Sequence, residues 1–113
     1  SDGSSRRDEK ANSAVQLSDK DRKRIEAEQR QQLSKKLQPL KKKLESVEKT
    51  IEQLESRKQE IEMMMADPSH YKDGDEAKKT SHKYKELQAK LKSSYFDWGK
   101  LTEEIGKMKT QAT

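Results

Sequence analysis

The stretch EIEMMMADPSHYKDGDEAKK, residues 60–79, interrupts a sequence whose flanks are charge-rich runs with regularly spaced apolar residues. The Asp-Pro pair at 67–68 predicts the end of a helix, because a residue before proline avoids the helical backbone conformation. Gly74 permits a tight turn, and Asp75 and Glu76 suit the start of a new helix, where the helix dipole favours negative charge. The stretch therefore predicts a turn that folds one helix back on another.

The composition of the chain limits how it can fold. Of its 113 residues, 27% are hydrophobic and 42% are charged, whereas roughly 45–50% of a typical globular domain is apolar. Alanine, glutamate, lysine, leucine and arginine together account for 55 of the 113 residues, close to the half that is typical of coiled coils. Two alternatives remain, a disordered polyelectrolyte or long helices that share a thin core.

Apolar residues recur at alternating intervals of four and three residues on both sides of the turn. The heptad core positions before the turn are Leu33, Leu37, Leu40, Leu44, Val47, Ile51, Leu54, Lys58, Ile61 and Met65. Those after the turn are Ala77, Thr80, Tyr84, Leu87, Leu91, Ser94, Trp98, Leu101, Ile105 and Met108. Two sustained heptad patterns of equal length predict a coiled coil and argue against the disordered alternative.

We therefore predict an all-α fold, an antiparallel two-helix coiled-coil hairpin in which the two apolar stripes bury each other. A flexible, disordered linker is expected at 1–18 and the coiled-coil domain at 19–113, with a tip at 67–75 and a second helix at about 76–109. The pattern leaves two registers open, in which the numbers of facing residues total about 138 or about 145.

Pro39 lies one residue before the core position Leu40 and interrupts the first helix. Proline lacks a backbone N–H and kinks or breaks a helix from within. We therefore predict a lead helix at about 19–38, then a bend, then the first helix of the hairpin at about 39–66 with Pro39 in its first turn.

The sequence offers little for catalysis or metal binding. It has no cysteine, and its two histidines, His70 and His82, lack the spacing of metal ligands. It has no glycine-rich phosphate loop, and the acidic residues of the tip do not match a calcium-binding loop. We expect no enzyme activity, no metal and no cofactor in this chain. The run Met63–Met65 has two interpretations, core filler or an apolar surface for a partner helix.

The sequence also bears on where the protein works. No apolar run approaches the roughly 18 residues of a membrane span, and no signal peptide is visible. The chain starts at Ser1 without an initiator methionine. We expect a fragment of a longer cytoplasmic protein that does not bind membranes.

Lysine residues are concentrated in two places on the predicted hairpin. One group lies at the end opposite the tip and is here called the basic base: Lys35, Lys36, Lys41, Lys42, Lys43, Lys100, Lys107 and Lys109. The other, here called the outer stripe, is spaced by seven residues along the second helix: Lys78, Lys85 and Lys92. Clustered lysines bind nucleic-acid phosphates without regard to sequence, so both groups are candidate nucleic-acid-binding sites. The alternative is a solvated surface that keeps a thin coiled coil soluble.

Three segments resemble one protein family. They are RIEAEQRQQLSKKLQPLKKKLESVEKTIEQLE at 24–55, MADPSHY at 65–71 and YFDWGKL at 95–101. Over residues 22–108 the chain is similar to the C-terminal extension of the ABC-F ATPases, the group that contains Uup. The most specific features are the LQPL motif, the acidic-Pro-x-x-Tyr tip and the single tryptophan near the end of the second helix.

The resemblance implies a non-catalytic accessory domain whose ATP- and Mg-binding cassettes lie upstream, outside this chain. Members of the family act on the ribosome in translation, and the hairpin of Uup-like members is associated with DNA binding. The implied partners are therefore nucleic acid, either duplex DNA or ribosomal RNA, and the upstream ABC domains. The alternative function is a lever or spacer that docks on those domains or on a ribosomal partner.

Overall fold

The computed structural model describes residues 18–112 and contains two long α-helices joined by a short turn. Helix α1 is Asp19–Ala66, the turn is a 3₁₀ helix at Pro68–Lys72, and helix α2 is Gly74–Gln111. The two long helices pack against each other, and no strand occurs in the residues described. The predicted all-α helical hairpin is confirmed. The predicted linker at 1–18 lies outside the described residues, apart from Ser18.

Two polar side chains determine where the long helices begin. Ser18 Oγ accepts a hydrogen bond from the backbone N–H of Asp21 at 3.1 Å and so caps α1. Asp73 Oδ1 accepts hydrogen bonds from the backbone N–H groups of Asp75, at 3.0 Å, and Glu76, at 3.4 Å. These bonds satisfy backbone donors that the start of a helix leaves without partners.

Side-chain hydrogen bonds shape the tip. Asp67 Oδ1 accepts a bond from the backbone N–H of Ser69 at 3.0 Å, and this bond lowers the pKa of the Asp67 carboxyl below its ordinary value of 3.8. The Tyr71 hydroxyl donates to the carbonyl oxygen of Met65 at 2.8 Å, near the carboxyl end of α1. The turn thus satisfies exposed backbone groups at the place where the Asp-Pro pair ends α1.

The core is a single row of side chains between the two helices. Its buried members are Leu37, Ile61, Thr80, Leu87, Leu91 and Ile105. Ile61 is the most enclosed of them, with 1% of its surface exposed. Every predicted core position is buried or half-buried except Trp98, which is 40% exposed and lies at the edge of the core. The heptad pattern therefore located the core correctly at all positions but that one.

Hydrogen bonds between the helices determine their register. Three side-chain pairs connect α2 to α1: Tyr84 with Glu62, Tyr95 with Glu55, and Trp98 with Glu48. Their residue numbers total 146, 150 and 146, which selects the register near 145 over the one near 138. In this register α2 ends opposite about residue 34, so residues 19–33 of α1 extend about 22 Å beyond it.

Pro39 does not divide α1. The helix continues through this residue, so the predicted boundary between a lead helix at 19–38 and a second helix at 39–66 is wrong. The physical reason is that Leu33 and Leu37, which precede the proline, pack near the last turns of α2, and Leu37 is only 4% exposed. Burying Leu37 and half-burying Leu33 contributes roughly 2–4.5 kcal/mol, which is comparable to the cost of about 3 kcal/mol for a proline inside a helix.

Replacing Pro39 by alanine should stabilise the domain by about 1–3 kcal/mol, because alanine restores a backbone N–H inside a continuous helix and removes a steric clash. Urea unfolding followed by circular dichroism would measure the change. Gln38→Ala, at the neighbouring exposed position, is the matched control and should change stability by roughly a few tenths of a kcal/mol. Equal effects of the two substitutions would contradict this account of Pro39.

Candidate nucleic-acid interface

Three aromatic side chains of α2 donate hydrogen bonds to three glutamates of α1. The bonds run from Tyr84 Oη to Glu62 Oε1 at 2.9 Å, from Tyr95 Oη to Glu55 Oε1 at 2.9 Å, and from Trp98 Nε1 to Glu48 Oε1 at 3.2 Å. The glutamates are seven residues apart, so they follow one edge of α1. The sequence-based prediction did not include these bonds, although the regular spacing of the glutamates was a visible signal. These three bonds join the two helices along one edge of the hairpin.

The glutamates also change how two of the tyrosines titrate. The hydrogen bond to Glu62 raises the pKa of the Tyr84 phenol above its ordinary value of 10.0, and the bond to Glu55 raises the pKa of Tyr95 in the same way. Loss of the phenolic proton would remove the donor and place two negative charges side by side. The stability from these bonds is therefore fully present below pH 10.0 and is lost as the pH rises through the raised pKa values of the folded state.

Replacing Glu62 by glutamine should lower the pKa of Tyr84 part of the way towards 10.0, because the amide oxygen still accepts the hydrogen bond but the negative charge that disfavours the phenolate is lost. An NMR titration that follows the Tyr84 ring would measure the shift. Glu55→Gln is the matched control, since it should lower the pKa of Tyr95 and leave that of Tyr84 unchanged. If the pKa of Tyr84 were the same in Glu62→Gln as in the parent, the hydrogen bond between Tyr84 and Glu62 would not form in solution.

The lysines of the basic base are all exposed, and the register brings those of both helices to one end of the hairpin. Lys43 of α1 and Lys100 of α2 line the same open groove between the helices, over the core residue Leu40. Lys36 lines a second groove, beside Met108 near the end of α2. The structure therefore places lysines from the two helices on a shared surface, while their role in binding stays a prediction.

Acidic side chains lie among these lysines and reduce the positive charge of the base. Asp97 and Glu104 line the same groove as Lys43. Lys107 Nζ forms an ion pair with Glu103 Oε1 at 3.2 Å. Within residues 18–112 no ion pair forms for the lysines that α1 contributes to the base, which are Lys35, Lys36, Lys41, Lys42 and Lys43. The α1 lysines are thus better placed than Lys107 to bind an external anion.

The outer stripe forms a separate surface. Lys78, Lys85 and Lys92 are exposed and follow α2 from near the tip to its middle, about 10.5 Å apart along the helix axis. Lys92 lies about 12 Å along that axis from Lys100, the nearest lysine of the base on α2. At its other end the stripe begins two residues after Glu76 and the acidic tip, where the net charge is lower than at the base.

The apolar residues around the tip are the other exposed feature. Met63 is 75% exposed and Met64 is 45% exposed, whereas Met65 is half-buried at its core position. Tyr71, whose hydroxyl bonds to the Met65 carbonyl, is 57% exposed. The two interpretations made from the sequence thus apply to different parts of the run. Met65 fills the end of the core, whereas Met63 and Met64 form exposed apolar surface. Met63, Met64 and Tyr71 are here called the tip patch.

The histidines show no arrangement that suggests a metal site. Within residues 18–112 no three or more histidine, aspartate and glutamate side chains are grouped closely enough to hold a metal ion. His82 Nε2 lies 3.0 Å from Glu86 Oε1 on the exposed surface of α2, and the His70 ring packs edge-on against the ring of Tyr71. The helices described are also too polar for any of them to cross a membrane.

A long helical hairpin with a basic end, a structured tip and a thin core between two helices belongs to the class of antiparallel coiled-coil domains. The sequence matches the family model described as ABC transporter C-terminal domain over residues 33–103, and the chain belongs to that family. The match includes the tip and most of the paired length of both helices. It confirms the ABC-related family predicted from the sequence motifs, while the narrower likeness to Uup stays a prediction. Comparison with curated proteins and with solved structures gave no match.

Proposed function

We propose that this chain is a nucleic-acid-binding accessory domain of a cytoplasmic ABC-F ATPase. The observation that carries the proposal is the cluster of exposed lysines in the basic base, in a chain that belongs to the ABC transporter C-terminal domain family. The domain is non-catalytic, and ATP and Mg²⁺ bind to two cassettes upstream of it. Its ligand is the phosphate backbone of duplex DNA or ribosomal RNA, bound without regard to base sequence.

The charge distribution along the hairpin favours binding at the base. Residues 19–43 carry a net charge of +6, whereas residues 66–76, which include the tip, carry −3. The two regions are about 35 Å apart along α1, several times the Debye length of roughly 8 Å at physiological salt. The acidic tip therefore leaves the potential of the base intact, but it repels a duplex laid along the whole hairpin. The ligand is held at one end.

A salt titration of duplex binding tests this proposal. If about five lysines each neutralise one phosphate, a plot of the logarithm of the binding constant against the logarithm of the salt concentration should have a slope of roughly −4.5. Gel-shift assays with duplex DNA and with structured RNA compare the two targets, and heparin serves as a polyanion control. No binding at low salt, or a slope near zero, would contradict the proposal.

The tip patch favours a second candidate function, docking on the upstream ATPase domains or on a ribosomal partner. Exposed methionine surfaces adapt to different partners, and tyrosine is enriched at the energetic centres of protein interfaces. The bonds of Asp67 and Tyr71 hold the loop that carries the patch, so less conformational entropy is lost on binding. In this function the helices are a rigid spacer between the parent protein and its partner.

Site-specific photo-crosslinking in the full-length parent protein tests the docking function. A photoreactive side chain in place of Met63 should crosslink to the ATPase domains or to a ribosomal protein. The same side chain in place of Gln59, an exposed residue one turn earlier, is the matched control and should crosslink much less. Equal crosslinking from both positions would indicate collision rather than docking.

A further inference from the structure

Phe96 is an exposed aromatic residue without a structural role in the hairpin. It is 63% exposed and occupies none of the heptad core positions. Its neighbours Tyr95 and Trp98 differ from it, because both donate hydrogen bonds to glutamates of α1. The ring of Phe96 instead meets the charged end of Lys100, whose Nζ lies 5.0 Å from the ring centroid. A phenylalanine in this position exposes apolar surface without packing in the core.

The surroundings of Phe96 leave its ring accessible. Side chains on a helix lean towards its N-terminus, so residues three and four positions later cover a given side chain. Three positions after Phe96 is Gly99, which has no side chain, and a Cβ added there would meet no atom within 4 Å. Four positions after it is Lys100, whose ammonium group reaches the ring. The ring is therefore uncovered on one side and next to a positive charge on the other.

Lysines flank this ring along the same face of α2. Lys92 and Lys100 lie one turn before and one turn after Phe96, and both are exposed. They are about 12 Å apart along the helix axis, a length that spans three to four nucleotides at about 3.4 Å per nucleotide. Of the acidic residues nearby, Glu103 is paired with Lys107 at 3.2 Å, and Asp97 faces the groove between the helices.

We propose that Phe96 stacks on a single unpaired nucleobase while Lys92 and Lys100 bind backbone phosphates about three to four nucleotides apart, one on each side of that base. This inference rests on the proposed nucleic-acid binding and names the substrate class of that function. Bases inside a perfect duplex are already stacked on their neighbours and offer no free face to the ring. An unpaired base offers one, and stacking on an aromatic side chain accepts any base. One exposed ring accommodates one base, so the preferred ligand is a duplex with a bulged or looped-out nucleotide.

Two duplexes that differ by one bulged nucleotide test this inference with the domain as it stands. Stacking of one base on an aromatic residue corresponds to about 5- to 150-fold in affinity, so the bulged duplex should bind more tightly by a factor in that range. Phe96→Leu should abolish the preference and leave the affinity for the perfect duplex unchanged, because leucine is apolar but has no ring. A fluorescent base analogue at the bulge should be quenched by the parent and not by the variant.

Two further variants separate stacking from other effects. Phe96→Trp keeps an aromatic ring and should retain the preference. Tyr71→Leu removes an aromatic ring of similar exposure, 57%, from the acidic tip and should change neither affinity. If Phe96→Leu kept the preference, or weakened binding to both duplexes equally, the inference would be wrong and the phosphate-binding function would stand. If the parent domain bound neither duplex at low salt, the proposed function itself would be wrong, and this inference with it.

Discussion

Replacing Ile61 by aspartate should unfold the hairpin or come close to it. Ile61 is 1% exposed, so the substitution removes a packed side chain and places a carboxylate in the core without a partner. The lost packing costs roughly 2–5 kcal/mol, and an unpaired buried polar group adds about 1–3 kcal/mol. The total stability of a small domain is commonly about 5–15 kcal/mol, and a core one residue thick places this protein at the low end.

Thermal and urea unfolding followed by circular dichroism would measure the effect of Ile61→Asp. Gln59→Asp is the matched control, because it introduces the same side chain at an exposed position two residues earlier. The free energy of unfolding of the control should lie within about 0.5 kcal/mol of the parent's, as is usual for surface substitutions. Similar melting of the two variants would show that α1 and α2 do not pack through Ile61 in solution.

Reversing the charges of Lys41, Lys42 and Lys43 to glutamate should weaken nucleic-acid binding by about 100-fold or more at low salt. Each lysine that no longer neutralises a phosphate removes about 0.9 from the salt slope, so three losses should flatten a slope of roughly −4.5 to about −2. All three side chains are exposed and lie outside the heptad core positions. Helicity should therefore survive, and circular dichroism would separate a loss of binding from a loss of fold.

The outer stripe provides the matched control for that experiment. Changing Lys78, Lys85 and Lys92 to glutamate alters the net charge by the same amount but at a different surface. We expect a smaller loss, because the stripe begins next to the acidic tip and only Lys92 approaches the base. Equal losses from the two triple variants would assign the binding to overall charge. Unchanged binding by the base variant would leave the basic base as a solvated surface and favour the docking function.

The existence of the hairpin was predictable from the sequence because its determinants are local. Alternating intervals of three and four specify a helix with one apolar stripe, and two such stripes separated by a short break pack on each other. The Asp-Pro pair at 67–68 and the acidic residues after Gly74 act on the backbone next to them, so the turn was located correctly. The sequence likewise placed most of the lysines of the candidate interface at one end, since position along a helix follows directly from residue number.

Tertiary packing determines that helix α1 continues through Pro39. Its local preference predicted a break, and a break would have been correct for a helix with nothing to pack against. Burial of Leu37 and packing of Leu33 near the end of α2 outweigh that preference, and the helix continues. The cost of a proline in a helix can be predicted from the sequence alone. The apolar area that its neighbours bury is known only from the tertiary structure. The predicted helix boundary at Pro39 therefore failed because it rested on a local preference alone.

Register, the aromatic–glutamate bonds and the net charge of the interface were also decided only by the tertiary structure. The three interhelical bonds join residues 22, 40 and 50 positions apart, and no local propensity acts over such distances. The same holds for the acidic groups that enter the basic base, because Asp97 and Glu104 approach Lys43 only after the helices have packed. A heptad pattern determines which face of each helix is buried. Which residues meet across that face depends on the register of the two helices. The side chains along their shared edge determine that register.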